Sequence, residues 1–338
     1  MESHNQGNNS LNKQASTGAN DKTEDERYKE LDPKLVESIE NDIVDRSPKI
    51  KWADIAGLQF TKKVIYEMIL WPIMRPDIFK GLRAPPKGLL LFGPPGTGKR
   101  MIGKVIASES NSTFFFISPS SLPSELIGEG EKMIKALFTI ARIKQPSVIF
   151  IDEIDSLFPA RSDKEDESSR RIKVEFLVQL DGAKTTGEER ILVIGSTNKP
   201  HELDEAVRRR LQKRLYIPLP NSDSRRELIK TIIERETAKG NKFDLSTEEL
   251  EKIVELTKGF SGADIKGLCL EAAMVPLRNI QDVTDVISNN IRAIHYDDFL
   301  EALKFGKAIV SSKDLEGYFE WNTQFGSFPL KEEDLEIN

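Results

Sequence analysis

The stretch Gly93-Pro94-Pro95-Gly96-Thr97-Gly98-Lys99 constrains this chain more than any other. It follows the apolar run Leu89-Leu90-Leu91-Phe92 directly and precedes a segment with helical spacing, the strand–loop–helix setting that a phosphate loop requires. Glycines let the backbone curl so that successive N–H groups point at phosphate oxygens, and the positive end of the next helix adds to that field. Lys99 supplies a mobile cation for the β- and γ-phosphates. A purely structural glycine turn gives such a lysine no purpose, and the dinucleotide-binding glycine pattern has no lysine at this place. Pro95, Gly96, Thr97, Gly98 and Lys99, with Arg100 and Met101 opening the helix, are the candidate nucleotide contacts.

Further short apolar runs follow: Phe114-Phe115-Phe116-Ile117, Val148-Ile149-Phe150-Ile151, Ile191-Leu192-Val193-Ile194 and Leu215-Tyr216-Ile217. Near-continuous apolar runs separated by helix-length stretches indicate strands buried on both faces of a parallel sheet. Residues 51–220 are therefore expected to form a doubly wound α/β nucleotide-binding domain. After Pro220 the strand runs stop, and 221–310 reads as a small all-helical lid. Arg225–Glu236 has helical spacing, Ser246 with Glu249 forms a capping box, and Gly259 marks the end of that helix. Ser261 with Asp264 opens another helix, which Pro276 is expected to kink or shorten. In 311–338 the aromatics Tyr318, Phe319, Trp321 and Phe325 predict a final docked helix. An amphipathic segment from Leu35 to Val44 predicts a linker helix within 31–50. Residues 1–30 carry almost nothing to bury and are expected to be disordered.

The acidic complement of the phosphate loop lies about fifty residues on. The run Val148–Ile151 ends in Asp152-Glu153. An aspartate at a strand end is placed to hold Mg²⁺, generally through water, and the glutamate after it to orient and deprotonate an attacking water. Ser196-Thr197-Asn198 ends the fourth run, so Asn198 is a candidate for the γ-phosphate or that water. Arg208-Arg209-Arg210 suits insertion into a neighbouring subunit's site, where a guanidinium stabilises charge on the transferring phosphate.

Composition narrows the partners. The chain has 338 residues, 49 Lys+Arg against 55 Asp+Glu and a formal charge of −6. With no concentrated basic stripe and no helix-turn-helix, direct nucleic-acid binding is not expected. No apolar run reaches the roughly 18 residues needed to span a bilayer, and no signal-peptide core opens the chain. The lone Cys269 cannot form an internal disulfide. The expected location is nucleus or cytoplasm.

Asp54-Ile55-Ala56-Gly57, the phosphate loop, Val148 through Asp155, Ser196-Thr197-Asn198-Lys199-Pro200 and Leu203-Asp204-Glu205-Ala206 together resemble the AAA+ ATPases. Glu167-Ser168-Ser169-Arg170-Arg171-Ile172-Lys173 and Phe176 through Gly182 are similar to the branch holding katanin, spastin and fidgetin. Trp71-Pro72 through Phe79 and the tail Lys313-Asp314-Leu315 through Gly326 resemble its fidgetin-like members. The likeness covers Leu31 to Gly326 and implies a homo-oligomer, a hexamer, with ATP or ADP and Mg²⁺ held between subunits. It places Asp54, Ile55, Ala56 and Gly57 near the adenine, with Gly262 and Ala263 from the lid. It makes Asn198 a sensor, Arg209 and Arg210 fingers, and Glu125-Leu126-Ile127 the first pore loop. Fidgetin-like members are associated with microtubule severing, gripping tubulin tails, and with homologous-recombination repair through recombinase filaments.

Two segments depart from the family pattern. The phosphate loop ends Gly98-Lys99-Arg100 where the family has a threonine or serine after the lysine, so a hydroxyl that ligates Mg²⁺ is replaced by a cation. Unit charges about 4 Å apart repel by roughly 4 kcal/mol at an effective dielectric near 20, and a divalent ion feels about twice that. One consequence to test is that Arg100 itself neutralises the phosphates. In the pore loop, an expected cation and aromatic are Glu125 and Leu126. Two functions stay open: an ATP-hydrolysing ring subunit that remodels protein assemblies, or a nucleotide-binding scaffold with impaired hydrolysis.

Overall fold

The computed structural model describes residues 26–45, 49–121, 128–160, 167–182, 189–278 and 291–329. Short helices α1 (Glu26–Lys29) and α2 (Pro33–Ser38) come first, and a widened turn over Ile39–Ile43 extends the second. Residues 26–29 thus correct the expectation of disorder through residue 30. Tyr28 and Leu31 have an apolar surface to cover, packing against the first core, and the Tyr28 hydroxyl donates to Glu40 at 3.4 Å. Helices α3 (Gln59–Ile65) and α4 (Trp71–Met74), joined by a widened turn, lead to β1 (Gly88–Phe92).

From there strands and helices alternate: α5 (Lys99–Glu109), β2 (Thr113–Ile117), α6 (Glu129–Ile143), β3 (Ser147–Ile151), α7 (Ile154–Leu157), α8 (Glu167–Gly182), β4 (Ile191–Thr197), α9 (Glu205–Arg210) and β5 (Lys213–Tyr216). All five strands are parallel, in the order β2-β3-β4-β1-β5. Successive residues of a strand point to opposite faces, and here both faces are covered. Leu90 and Phe92 enter one core with α6 and α8, while Leu89 and Leu91 enter another with α3 and α5. This two-sided burial is why the strands read as unbroken apolar runs rather than alternating ones.

The remaining helices are α10 (Ser222–Ala238), α11 (Thr247–Leu256), α12 (Gly262–Arg278), α13 (Tyr296–Leu303) and α14 (Ser312–Phe325). The first four enclose their own core of Ile229, Ile253, Ile265, Leu268 and Phe299. Ser246 and Glu249 exchange backbone and side-chain bonds at the start of α11, and Ser261 and Asp264 do the same before α12. Pro276 is buried inside α12 and the helix continues to Arg278, so within the described residues the proline does not shorten it; its missing N–H removes one helical bond.

Helix α14 returns to the sheet and buries Leu315, Tyr318 and Trp321 on the α6–α8 face. Trp321 lies 4.4 Å from the Phe92 ring, at the residue where β1 runs into the phosphate loop.

Candidate active site

The loops after β1, β3 and β4 open side by side, because β3-β4-β1 are adjacent and parallel. Carboxyl ends of such strands are where α/β sheets bind ligands. Phe92 pairs with Thr197 and Ile151 with Gly195, so the phosphate loop, Asp152-Glu153 and Asn198 share one edge.

The loop adopts backbone that only glycine takes without strain. Gly93 has φ +142° and a Cβ there would lie 2.3 Å from the Ile217 carbonyl oxygen; Gly96 has φ +74° and a Cβ would lie 2.5 Å from Ser261 Oγ. Gly96 is also where core and lid touch, its carbonyl accepting from Ala263 N–H at 3.2 Å.

Lys99 is buried and turned onto its own loop, donating to the carbonyls of Gly93 (2.9 Å) and Pro94 (2.7 Å). Burial lowers its pKa to about 8, against the opposing pull of Asp152 and Asp155. Asp155, also buried, accepts from Thr197 Oγ1 at 2.5 Å. Thr197 Oγ1 in turn accepts from Lys199 N–H at 2.8 Å, which sets the backbone on both sides of Asn198.

Glu153 is exposed and sits at φ +45°, a conformation costly for a side chain of its size. Such backbone persists where the surroundings over-determine it and clusters at functional sites. The Asn198 carbonyl accepts from Tyr318 Oη at 2.6 Å, and its Oδ1 is shielded from solvent with no partner among the described residues. Burial first, then Asp314 and Asp155, push the Tyr318 phenol up to about 12, so it stays a donor.

Beside the loop lies a cavity of about 1350 Å³ between sheet and lid. Asp54, Ile55, Ala56, Gly57, Gly96, Thr97, Gly98, Met101, Gly262 and Ala263 line it. Pro95, Lys99, Arg100, Asp152, Glu153 and Asn198 lie outside that lining. The cavity therefore suits the base and sugar of a nucleotide, and the phosphates would reach out over the loop toward the acids. Helix α10, which no motif signalled, holds the cavity's wall. Glu227 accepts from Gly57 N–H at 2.9 Å, and Arg235 pairs with Asp54, whose carboxylate also accepts from Lys51 N–H at 2.8 Å. Cys269 lines the cavity too; burial pushes its thiol up to about 12, so it is an inert wall residue.

Residues 89–219 match the ATPase family associated with various cellular activities (AAA), and residues 247–293 match the AAA+ lid domain. A crystal structure of the FIGL-1 AAA domain in complex with ADP is 50% identical, with a TM-score of 0.80 over 88% of this chain and 98% of that one. The chain belongs to the AAA ATPase family. Human fidgetin-like protein 1 is 56% identical over 304 residues, 89% of this chain and 44% of that protein. The chain thus spans about half the length of the curated relatives it matches. A solved structure concerned with katanin self-assembly is 37% identical, with a TM-score of 0.72 over 86% of this chain and 97% of that one.

In this AAA domain the three consecutive arginines have different fates. Arg208 lies over the Phe325 ring at 4.1 Å. Arg210 is held by Asp181 at 3.0 Å and by the Ala206 carbonyl at 3.2 Å. Arg209 is 71% exposed and among the described residues bonds only Glu205 one turn back on α9, a pairing worth a few tenths of a kcal/mol. Of the two proposed fingers, Arg209 is the one free to reach outward. The pore-loop residues Glu125, Leu126 and Ile127 lie outside the described residues.

The lowered pKa of Lys99 carries a pH prediction. A bound phosphate favours the cation, so nucleotide binding raises a pKa that starts at about 8. Below that pH Lys99 is charged before and after binding, and no proton is exchanged. Above it, binding takes up a proton and affinity falls as pH rises. Calorimetry in two buffers of different ionisation heat, at about pH 9, is expected to show that uptake. Proton release, or affinity that rises with pH, would contradict it.

Proposed function

We propose that this AAA chain is one ATP-hydrolysing subunit of a homo-oligomeric ring, a hexamer, that remodels protein assemblies. The observation that carries this is the alignment of the phosphate loop, Asp152-Glu153 and Asn198 on adjacent strand ends, beside a cavity roofed by the lid. Lys99 leaves the Gly93 and Pro94 carbonyls to take the β- and γ-phosphates, while the loop's N–H groups hold the rest of the triphosphate. The Asn198 side chain orients a water in line with the γ-phosphorus, and Glu153 takes its proton as the bond to the β–γ bridging oxygen breaks. Arg209 of a neighbouring copy stabilises the charge on the transferred group.

The residues present do not fit Mg²⁺ as the family holds it. Position 100 offers no oxygen, Thr97 Oγ1 is turned to the Pro94 carbonyl at 3.0 Å, and Asp155 is engaged by Thr197. With Glu153 given to the attacking water, Asp152 would hold the ion, through water.

The polypeptide remodelled is, by kinship, a tubulin tail or a recombinase filament, in cytoplasm or nucleus. No helix among the described residues is long and apolar enough to cross a membrane. Because a neighbour completes each site, turnover per subunit should rise with protein concentration. Arg209→Ala should cut turnover at saturating concentration about a thousandfold while leaving nucleotide affinity unchanged. A rate per subunit independent of dilution, with Arg209→Ala fully active, would rule out the shared site.

A further inference from the structure

We propose that Arg100 is a phosphate ligand that takes over the charge-balancing part of the divalent metal, so that this chain holds ATP without Mg²⁺. The inference rests on the nucleotide-binding role proposed above and deepens it at one residue.

Arg100 follows Lys99 in the first turn of α5, the turn whose free N–H groups face the phosphates. Its guanidinium carbon lies 3.5 Å from the centre of the Phe116 ring. That ring stacks on Phe150 of the neighbouring strand, with centroids 6.1 Å apart and planes 16° from parallel. Phe116 and Phe150 are paired in register, and one step further along the two strands Asp152 N–H donates to the Ile117 carbonyl at 2.8 Å. The cation is therefore supported near the carboxyl ends of β2 and β3, the end of the sheet that carries the acidic pair.

A ring contact uses the face of a guanidinium and leaves the N–H groups at its edge unspent. Among the described residues no carboxylate or carbonyl accepts from Arg100, and no carboxylate comes within ion-pair distance of it. An exposed guanidinium, held by an aromatic platform and with its donors open beside an anion-binding loop, has the chemistry of a bidentate phosphate contact.

The test is a titration with a non-hydrolysable ATP analogue, in EDTA and in Mg²⁺, on the natural chain and on Arg100→Ala, Arg100→Thr and Phe116→Leu. Unchanged unfolding profiles would confirm that each variant is folded. For the natural chain the two dissociation constants are expected to agree within about threefold. Arg100→Ala should weaken binding in EDTA about tenfold or more, the worth of one hydrogen bond to a charged group. Arg100→Thr should bind poorly in EDTA and recover at least about tenfold with Mg²⁺, and Phe116→Leu should fall between natural and Arg100→Ala in EDTA. The proposal is overturned if Mg²⁺ tightens the natural chain about tenfold or more, or if Arg100→Ala binds in EDTA as tightly as the natural chain. If no analogue binds the natural chain under either condition, the nucleotide role itself falls, and this inference with it.

Discussion

Glu153→Gln is expected to cut ATP turnover by about two to four orders of magnitude, the share that a positioned general base contributes, with nucleotide affinity kept. The substitution keeps the shape of the side chain and removes only its basicity. Glu153 is exposed, no described residue bonds its carboxylate, and its backbone strain at φ +45° is the same for glutamine. Among the described residues nothing therefore depends on the charge. Steady-state turnover and analogue binding, measured together, separate the outcomes. A variant that keeps more than about a tenth of the natural rate would remove Glu153 from the chemistry, and one that loses affinity would make it a binding residue.

The second large effect is structural. Trp321→Ala is expected to destabilise the chain by about 3 kcal/mol, the low end for an aromatic emptied from a core. Trp321 is 6% exposed and lies against Phe92 at 4.4 Å and Phe325 at 5.3 Å. Its buried Nε1 has no partner among the described residues, so part of the natural packing gain is already offset and the top of the range is not expected. Tyr318, one turn earlier on α14, holds the Asn198 carbonyl, so turnover should fall as well. Denaturant unfolding monitored by circular dichroism measures the first effect. A loss under about 1 kcal/mol would show that α14 is not anchored by this ring.

The sheet was legible because its central strands β1, β3 and β4 are buried on both faces, which leaves a run such as Val148–Ile151 uninterrupted by polar residues. The phosphate loop was legible because its glycines answer a backbone demand that no other residue meets, as at Gly93 against the Ile217 carbonyl. Capping boxes at Ser246 and Ser261 are local, and local chemistry survives into the fold. What sequence could not show is long-range. Glu227 meets Gly57, and Arg235 meets Asp54, across separations of 170 and 181 residues, and no pattern links one end to the other. The Tyr318 bond to a main-chain carbonyl is likewise invisible, since any residue at 198 supplies that acceptor. Helix α1 was missed because its four residues carry too little periodicity, and only the core it covers makes it visible. Arg100 was readable as a departure, but its seat on Phe116 depends on two strands being neighbours.

Calorimetric titration of ADP into the natural chain and into Lys99→Ala tests most directly whether the loop after β1 binds nucleotide through Lys99. Lys99 would make charge-assisted bonds to phosphate that alanine cannot replace, and it is the loop's only buried cation. One ADP per chain is predicted for the natural protein, with affinity weakened about a hundredfold or more in the variant. Equal affinity in the two proteins would contradict it, and would place the nucleotide elsewhere.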